Sequence, residues 1–222
     1  MTRVLGLVLA LVLAAAAQEW GRLDESGTGY QIRARYPKIL STRPGVGEAL
    51  TALLEGYARK SVADFKKDFQ DATQGKGDRV PWSLDLDYTL PWHNDRLMAV
   101  YFVGSSYTGG AHPNPFLGSF VLDLHTGRAL GLAELFRGDY LQALSQYART
   151  ELARRDLSSD KDWIARGTAP QPDSFSVAYP TEKGFLLIFP PYQVAPYVAG
   201  PQEVLVPWKS MAPFRLHAGI LD

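Results

Sequence analysis

Short segments of alternating apolar and polar residues occur in neighbouring pairs along this chain, and that grouping constrains the fold strongly. Residues 84–90 alternate cleanly and are followed, after a turn-rich connection, by the apolar segment 97–104. Residues 175–179 and 184–189 flank a second turn in the same way. A period of two residues is typical of half-buried strands, and a short turn joins two such strands into an antiparallel hairpin.

Between these hairpins the spacing of the apolar residues changes to that of helices. Residues 46–69 place apolar side chains on one face and charged side chains on the other, which indicates a long amphipathic helix. A second apolar stripe follows Asp139 and ends near Arg155, and residues 156–173 are polar and turn-rich. This order predicts an α+β fold in which a mostly antiparallel sheet, built from hairpins, packs against two or three helices.

The first 17 residues have the composition of a secretory signal peptide. Arg3 precedes an apolar run at residues 4–13, and the small residues that follow fit cleavage after Ala17. An uncleaved anchor helix is the alternative, but the apolar segment is shorter than the roughly 18 residues that a membrane-spanning helix needs. The sequence therefore predicts a secreted or periplasmic protein with no membrane span after cleavage.

Charge and cysteine content exclude several kinds of partner and site. The 23 basic residues balance the 23 acidic ones, so no overall field attracts nucleic acid or an anionic membrane. The chain has no cysteine, which excludes disulfides, thiolate zinc sites and a lipid anchor on an N-terminal cysteine. The four histidines lack the spacing of metal ligands. We predict no metal and no cofactor.

Two segments dense in glycine, proline and tyrosine, residues 107–114 and 190–201, are the candidate binding loops. Tyrosine offers a flat apolar face with a polar tip, which suits both the stacking of sugars and the anchoring of a protein partner. The prolines of the second loop restrict its backbone and lower the entropy cost of binding. The candidate ligand-binding residues are Tyr107, Gly109, Gly110, His112, Asn114, Tyr192 and Tyr197.

A catalytic hypothesis would depend on His112, the histidine inside these loops. As an acid or base it would need a carboxylate or a nucleophile brought close by the fold. The alternative is that its ring hydrogen-bonds the backbone and fixes the loop after Gly109 and Gly110. Asp85 and Asp87 share one face of a strand about 7 Å apart, as glycosidase carboxylates could, but acids on an exposed strand face are usually solvated. We therefore assign no catalytic residue.

The candidate loops also carry residues by which the chain resembles a known family. Residues 107–114 (YTGGAHPN), the turn at residues 123–130 and the segment PYQVAPY at residues 191–197 are together similar to the DUF3298 family. Residues 30–37 (YQIRARYP) resemble the opening of the DUF4163 region that commonly precedes it. The resemblance covers nearly the whole chain after the apolar N-terminal segment.

This resemblance implies a domain organisation as well as a family. It divides the chain into a signal peptide at residues 1–17, a DUF4163-like part at residues 18–90 and a DUF3298-like part at residues 91–222. We expect the last two parts to pack as one compact unit.

Proteins of this kind include the extracellular domain of a lysozyme-sensing anti-sigma factor and the non-catalytic region of a peptidoglycan deacetylase. The resemblance therefore implies an exported cell-envelope binding module whose ligand is a lysozyme-like protein or peptidoglycan. Three residues precede the apolar segment and no deacetylase motifs follow, so we expect neither sigma-factor signalling nor deacetylation. Two alternatives stay open: a cell-wall glycan hydrolase or transferase that uses His112, and a structural envelope protein with no dedicated ligand.

Overall fold

The protein, as a computed structural model, is described over residues 19–73, 80–157 and 160–214. The segment predicted to be a signal peptide lies outside these described residues. The strands of the described part are β1 (Trp20–Gly27), β2 (Tyr30–Pro37), β3 (Trp82–His93), β4 (Leu97–Tyr107), β5 (Asn114–Asp123), β6 (Arg128–Leu130), β7 (Ala178–Pro180), β8 (Gly184–Phe189) and β9 (Gln202–Pro207). Its α-helices are α1 (Val46–Thr73), α2 (Leu132–Leu135), α3 (Tyr140–Ala153), α4 (Lys161–Gly167) and α5 (Trp208–Met211).

The strands form two sheets, and the predicted α+β class is confirmed. A six-stranded sheet has the order β1-β2-β3-β4-β5-β6, and a three-stranded sheet has the order β7-β8-β9. All neighbours are antiparallel except β2 and β3, which run parallel because the long helix α1 carries the chain back between them. The hairpins predicted at β3–β4 and β7–β8 are both present.

One face of the six-stranded sheet packs against α1. In β2 the alternate residues Ile32 and Ala34 are buried, as the period of two residues requires. In the apolar stripe of α1, the fully buried Leu50 and Leu54 pack in the same core as Ala34, and Phe65 packs with Ile32. Tyr57 of α1 adds an aromatic contact, since its ring lies 4.7 Å from that of the buried Phe102.

The opposite face of the six-stranded sheet is covered over only part of its area. Near one end of β4 and β5, Leu97 and Val121 pack in the same core as the three-stranded sheet and α3. The hydroxyl of Ser119 donates to the carbonyl of Ala178 at 3.0 Å and accepts from its N–H at 2.9 Å, which joins β5 to β7. Further along β4 this cover ends, and Val103 is 45% exposed. The remaining area of that face is open.

Two details differ from the sequence expectation or refine it. Segment 156–173, expected to be polar and turn-rich, contains α4 and the start of a 3-10 turn at Pro172–Phe175. The sequence did not indicate α4, because a helix of seven residues is too short to show a full apolar stripe. The boundary expected at residue 90, between the DUF4163-like and DUF3298-like parts, falls within β3. The division of the chain into these two parts stays a prediction. Within the described ranges, no helix has the length and apolar content needed to cross a membrane.

Candidate functional site

The two candidate loops, which are far apart in the sequence, meet in the structure. The rings of His112 and Tyr197 stack at a centroid distance of 3.8 Å and an interplanar angle of 17°. The Tyr197 hydroxyl donates to the carbonyl of Pro113 at 3.0 Å, and Nδ1 of His112 lies 2.9 Å from the same oxygen. One backbone carbonyl thus accepts from both stacked rings and fixes the second loop against the first.

The first loop is the turn of the β4–β5 hairpin. Tyr107 is the last residue of β4 and Asn114 the first residue of β5, so both belong to the ends of the strands. Gly109 has a φ of +83°, a conformation that favours glycine, whereas the space around Gly110 is open. Of the candidates in this hairpin, His112 is the one whose ring reaches the second loop.

Tyr192 in the second loop has an unusual backbone. Its φ is 71°, and among the residues that the structure describes it is the only non-glycine residue with a positive φ. Its side chain is 56% exposed, and its ring lies 5.8 Å from that of Tyr197. Its N–H donates to the carbonyl of Ala195 at 3.0 Å, which closes a tight turn. Strained backbone of this kind is concentrated at functional positions in proteins.

Helix α4 is hydrogen-bonded to the second loop. Trp163 donates from Nε1 to the carbonyl of Tyr192 at 2.9 Å. The side-chain amide of Gln193 donates to the carbonyls of Gly167 and Ser174, both at 2.8 Å. These residues were not among the candidates indicated by the sequence. A tryptophan within an otherwise polar segment was the signal that could have indicated a packed element there.

The ring contacts of His112, Tyr192 and Tyr197, together with the neighbouring Val198, define what we call the loop surface. Val198 is 93% exposed and projects from the 3-10 turn Tyr197–Ala199. None of these four side chains carries a carboxylate, an ammonium or a guanidinium group. This chemistry suits the binding of an apolar or aromatic partner group.

The same geometry bears on the catalytic hypothesis for His112. Both contacts that hold its ring, the stack on Tyr197 and the bond to the Pro113 carbonyl, are of a positioning kind. Neither contact supplies the carboxylate or nucleophile that acid–base chemistry needs. Across the described ranges, no group of three or more potential ligands could hold a metal ion.

The acidic pair in β3 has partners that the sequence did not indicate. Asp85 accepts from Nε of Arg33 at 3.0 Å, and Asp87 pairs with Arg35, both arginines lying on the neighbouring strand β2. Both acids are about half exposed, as expected for an exposed strand face, and they also have arginine partners. The sequence did not indicate these partners because the alternation pattern does not reveal which strand is the neighbour.

Two protein families match separate parts of the chain. Residues 133–209 match DUF3298, described as a protein of unknown function, and residues 24–115 match a family described as Deacetylase PdaC. The second candidate loop lies within the first match. The β4–β5 turn with His112 lies within the second match.

Similar proteins are found among curated sequences and among solved structures. The peptidoglycan-N-acetylmuramic acid deacetylase PdaC of Bacillus subtilis is 30% identical over 191 residues, which are 85% of this chain and 39% of that protein. The chain thus spans about two fifths of its curated relative.

DUF3298 family structures from Bacteroides fragilis and Pseudomonas aeruginosa share the fold. Their TM-scores are 0.65 and 0.61, and their identities are 20% and 18%. The first match covers 92% of this chain and 96% of that structure, and the second covers 90% and 95%. The resemblance to DUF3298 drawn from the sequence is therefore confirmed: residues 133–209 are similar to the DUF3298 family, and residues 24–115 are similar to the PdaC family.

Proposed function

We propose that this chain is an exported cell-envelope binding module and that its loop surface recognises a lysozyme-like protein. The observation that carries the proposal is the stack of His112 on Tyr197, which joins two distant loops into one aromatic surface. A role at the envelope is supported by the curated relative, which is named for an activity on peptidoglycan. Export is supported by the composition of residues 1–17.

The shape of the loop surface favours a protein partner. Val198 is 93% exposed and Tyr192 is 56% exposed, so both side chains project into solvent. An enzyme that acts on a polymer has a cleft, and projecting apolar side chains can enter such a cleft. Anchors of this kind, often tyrosine, contribute much of the binding energy of protein interfaces. The strained φ of Tyr192 holds one such anchor in its projecting position.

Peptidoglycan itself is the second candidate for the same surface. Sugar rings have apolar faces that stack on tyrosine, and Tyr192 and Tyr197 present two rings 5.8 Å apart. A hydrolase or transferase that depends on His112 ranks below both, since the contacts of that ring position it and provide no partner for proton transfer.

Titration calorimetry of the purified protein, first with a lysozyme and then with soluble peptidoglycan fragments, tests this proposal. We expect saturable heat with the lysozyme and an affinity at least about tenfold weaker for Tyr192→Ala and for Val198→Ser, because each removes a projecting anchor. Leu40→Ser is the matched control, since Leu40 is an exposed apolar residue (68%) outside both loops. It should leave the affinity unchanged.

Other results would redirect the assignment. Heat only with the fragments would favour the glycan candidate, and equal affinities of all variants would exclude the loop surface. A cell-wall activity that falls by orders of magnitude in His112→Ala, with the fold retained, would instead establish an enzyme.

A further inference from the structure

The open part of the six-stranded sheet forms a hollow, and its lining residues differ from those of the loop surface. It lies on the face opposite α1, where β1, β2, β3 and β4 are left uncovered by the three-stranded sheet. Its volume is about 510 Å³, which falls in the range of pockets that hold small-molecule ligands. Its floor consists of strands of one sheet, the edge strand β1 and the central strands β2, β3 and β4, so its side chains are attached to regular secondary structure.

Three ion pairs cover this hollow. Arg22 pairs with Asp24 within β1, and the two pairs between β2 and β3 described above continue the row across the sheet. We call these six residues the charged face: Arg22, Asp24, Arg33, Arg35, Asp85 and Asp87. With three cations and three anions, the charged face has no net charge, so it attracts neither a polyanion nor a polycation.

The pairs order the side chains without using up their bonding capacity. Arg33 is 59% exposed and Asp85 47% exposed, so both are accessible to a ligand although they are bonded to each other. A guanidinium group has five N–H donors and a carboxylate about four acceptor positions. Each pair therefore presents a planar edge that can both donate and accept hydrogen bonds.

An aromatic ring lies at one side of the charged face. Trp20 is 46% exposed, and the guanidinium of Arg35 lies 5.8 Å from its ring centroid. The cation–π contact restricts the position of the indole while leaving much of its surface in solvent. An exposed tryptophan held beside ordered polar groups offers a stacking platform for a flat ligand with an apolar face.

We propose that the charged face and Trp20 bind a short segment of uncharged glycan built from N-acetylated amino sugars. The apolar face of a sugar ring would stack on Trp20. Its hydroxyl and amide groups, which both donate and accept, would bond to the arginine–aspartate edges. The absence of net charge on the face favours a neutral ligand over an anionic polymer. This inference rests on the proposed role at the envelope but uses different residues from the loop surface.

Titration of the purified protein with N,N′,N″-triacetylchitotriose tests the inference, with binding measured by calorimetry and by tryptophan fluorescence. We expect saturable binding that weakens at least about tenfold in Trp20→Ala and several-fold in Asp85→Asn. Asp64→Asn is the matched control, since Asp64 forms an exposed ion pair with Lys60 on α1, away from the hollow. This control and Tyr192→Ala should both bind the trisaccharide as the unaltered protein does.

The two proposals can fail separately. Loss of trisaccharide binding in Tyr192→Ala but not in Trp20→Ala would overturn this inference and place the glycan on the loop surface. No saturable binding of the trisaccharide, with lysozyme binding intact, would overturn it while leaving the loop proposal standing. A dimer that dissociates on Trp20→Ala substitution, detected by light scattering, would also overturn it and identify the charged face as a contact between two copies.

Discussion

At the scale of single residues, the backbone of Tyr192 lies in a region that a residue with a side chain seldom occupies. A positive φ of 71° brings Cβ close to the following carbonyl oxygen, which costs about 1–2 kcal/mol for an L-residue. The conformation is maintained by bonds to the residue's own backbone, from Trp163 and to Ala195. The chain therefore retains a strained tyrosine where glycine would fit without strain.

This strain predicts an unusual order of stability at position 192. We expect Tyr192→Gly to be more stable than Tyr192→Ala by about 0.5–1 kcal/mol, because relief of the left-handed strain outweighs the greater chain entropy of glycine. Urea unfolding of both variants measures the difference. The lysozyme affinity should be weak in both. An alanine variant as stable as the glycine variant would show that position 192 is not strained.

At the scale of elements, α4 connects the second loop to the rest of the fold. Gly167, its last residue, packs so closely on the loop that an added Cβ would overlap the carbonyl oxygen of Gln193. We expect Gly167→Ala to lower the free energy of unfolding by about 1–3 kcal/mol and to weaken lysozyme binding, because the loop must move. Chemical denaturation and calorimetry measure the two effects.

Gly56 provides the control for that substitution. It lies in the interior of α1, and an added Cβ would meet nothing within 4 Å. Gly56→Ala should therefore stabilise the protein by about 0.5–1 kcal/mol, as alanine does in an exposed helix. If both alanine variants were stabilised, close packing of α4 on the loop would be refuted.

The longer elements could be predicted from the sequence because their patterns are local. The alternation in β2 and the helical spacing in α1 each report which side chains face the core. The parallel pairing of β2 with β3 could not be predicted, since a half-buried strand shows the same alternation in either direction. It became visible only through the register that places Arg33 opposite Asp85.

The candidate site was predictable in part for a similar reason. Glycine, proline and tyrosine mark loops in sequence, and the contact of His112 with Tyr197 agrees with the choice of both loops. The support from Trp163 and the strained φ of Tyr192 depend on tertiary contacts that no local pattern encodes. Whether these residues bind a ligand stays a prediction.

At the scale of the whole molecule, the two sheets are joined through a pair of tyrosines, one half-buried and one buried. Tyr101 of β4 and Tyr179 of β7 have ring centroids 5.5 Å apart. Burial, together with the neighbouring Tyr101 and Glu203, raises the pKa of Tyr179 to about 12. The contact between the sheets therefore depends on a phenol that stays protonated in the folded state.

This raised pKa predicts a loss of stability at alkaline pH. In the unfolded chain the pKa of tyrosine is about 10, so the stabilisation is complete below that pH and is lost as the pH rises from about 10 towards 12. We expect Tyr179→Phe to reduce the fall in the free energy of unfolding over this interval by about 2 kcal/mol. Urea unfolding at a series of pH values measures it. If the free energy of unfolding fell equally with pH in Tyr179→Phe and in the unaltered protein, Tyr179 would not be the group responsible for the alkaline loss of stability.

The parallel ladder between β2 and β3 also has a consequence for how the chain reaches this structure. Its partners lie about 50 residues apart, as with Arg35 and Asp87, which are separated by 52 positions. Contacts of such long sequence separation form slowly, because a long loop must close first. If the chain crosses a membrane with its N-terminus leading, the β1–β2 hairpin emerges with a strand edge that has no partner until α1 and β3 arrive. Arg33 and Arg35 lie on the strand that forms that edge. Before β3 pairs with it, their charges would oppose aggregation of the incomplete sheet.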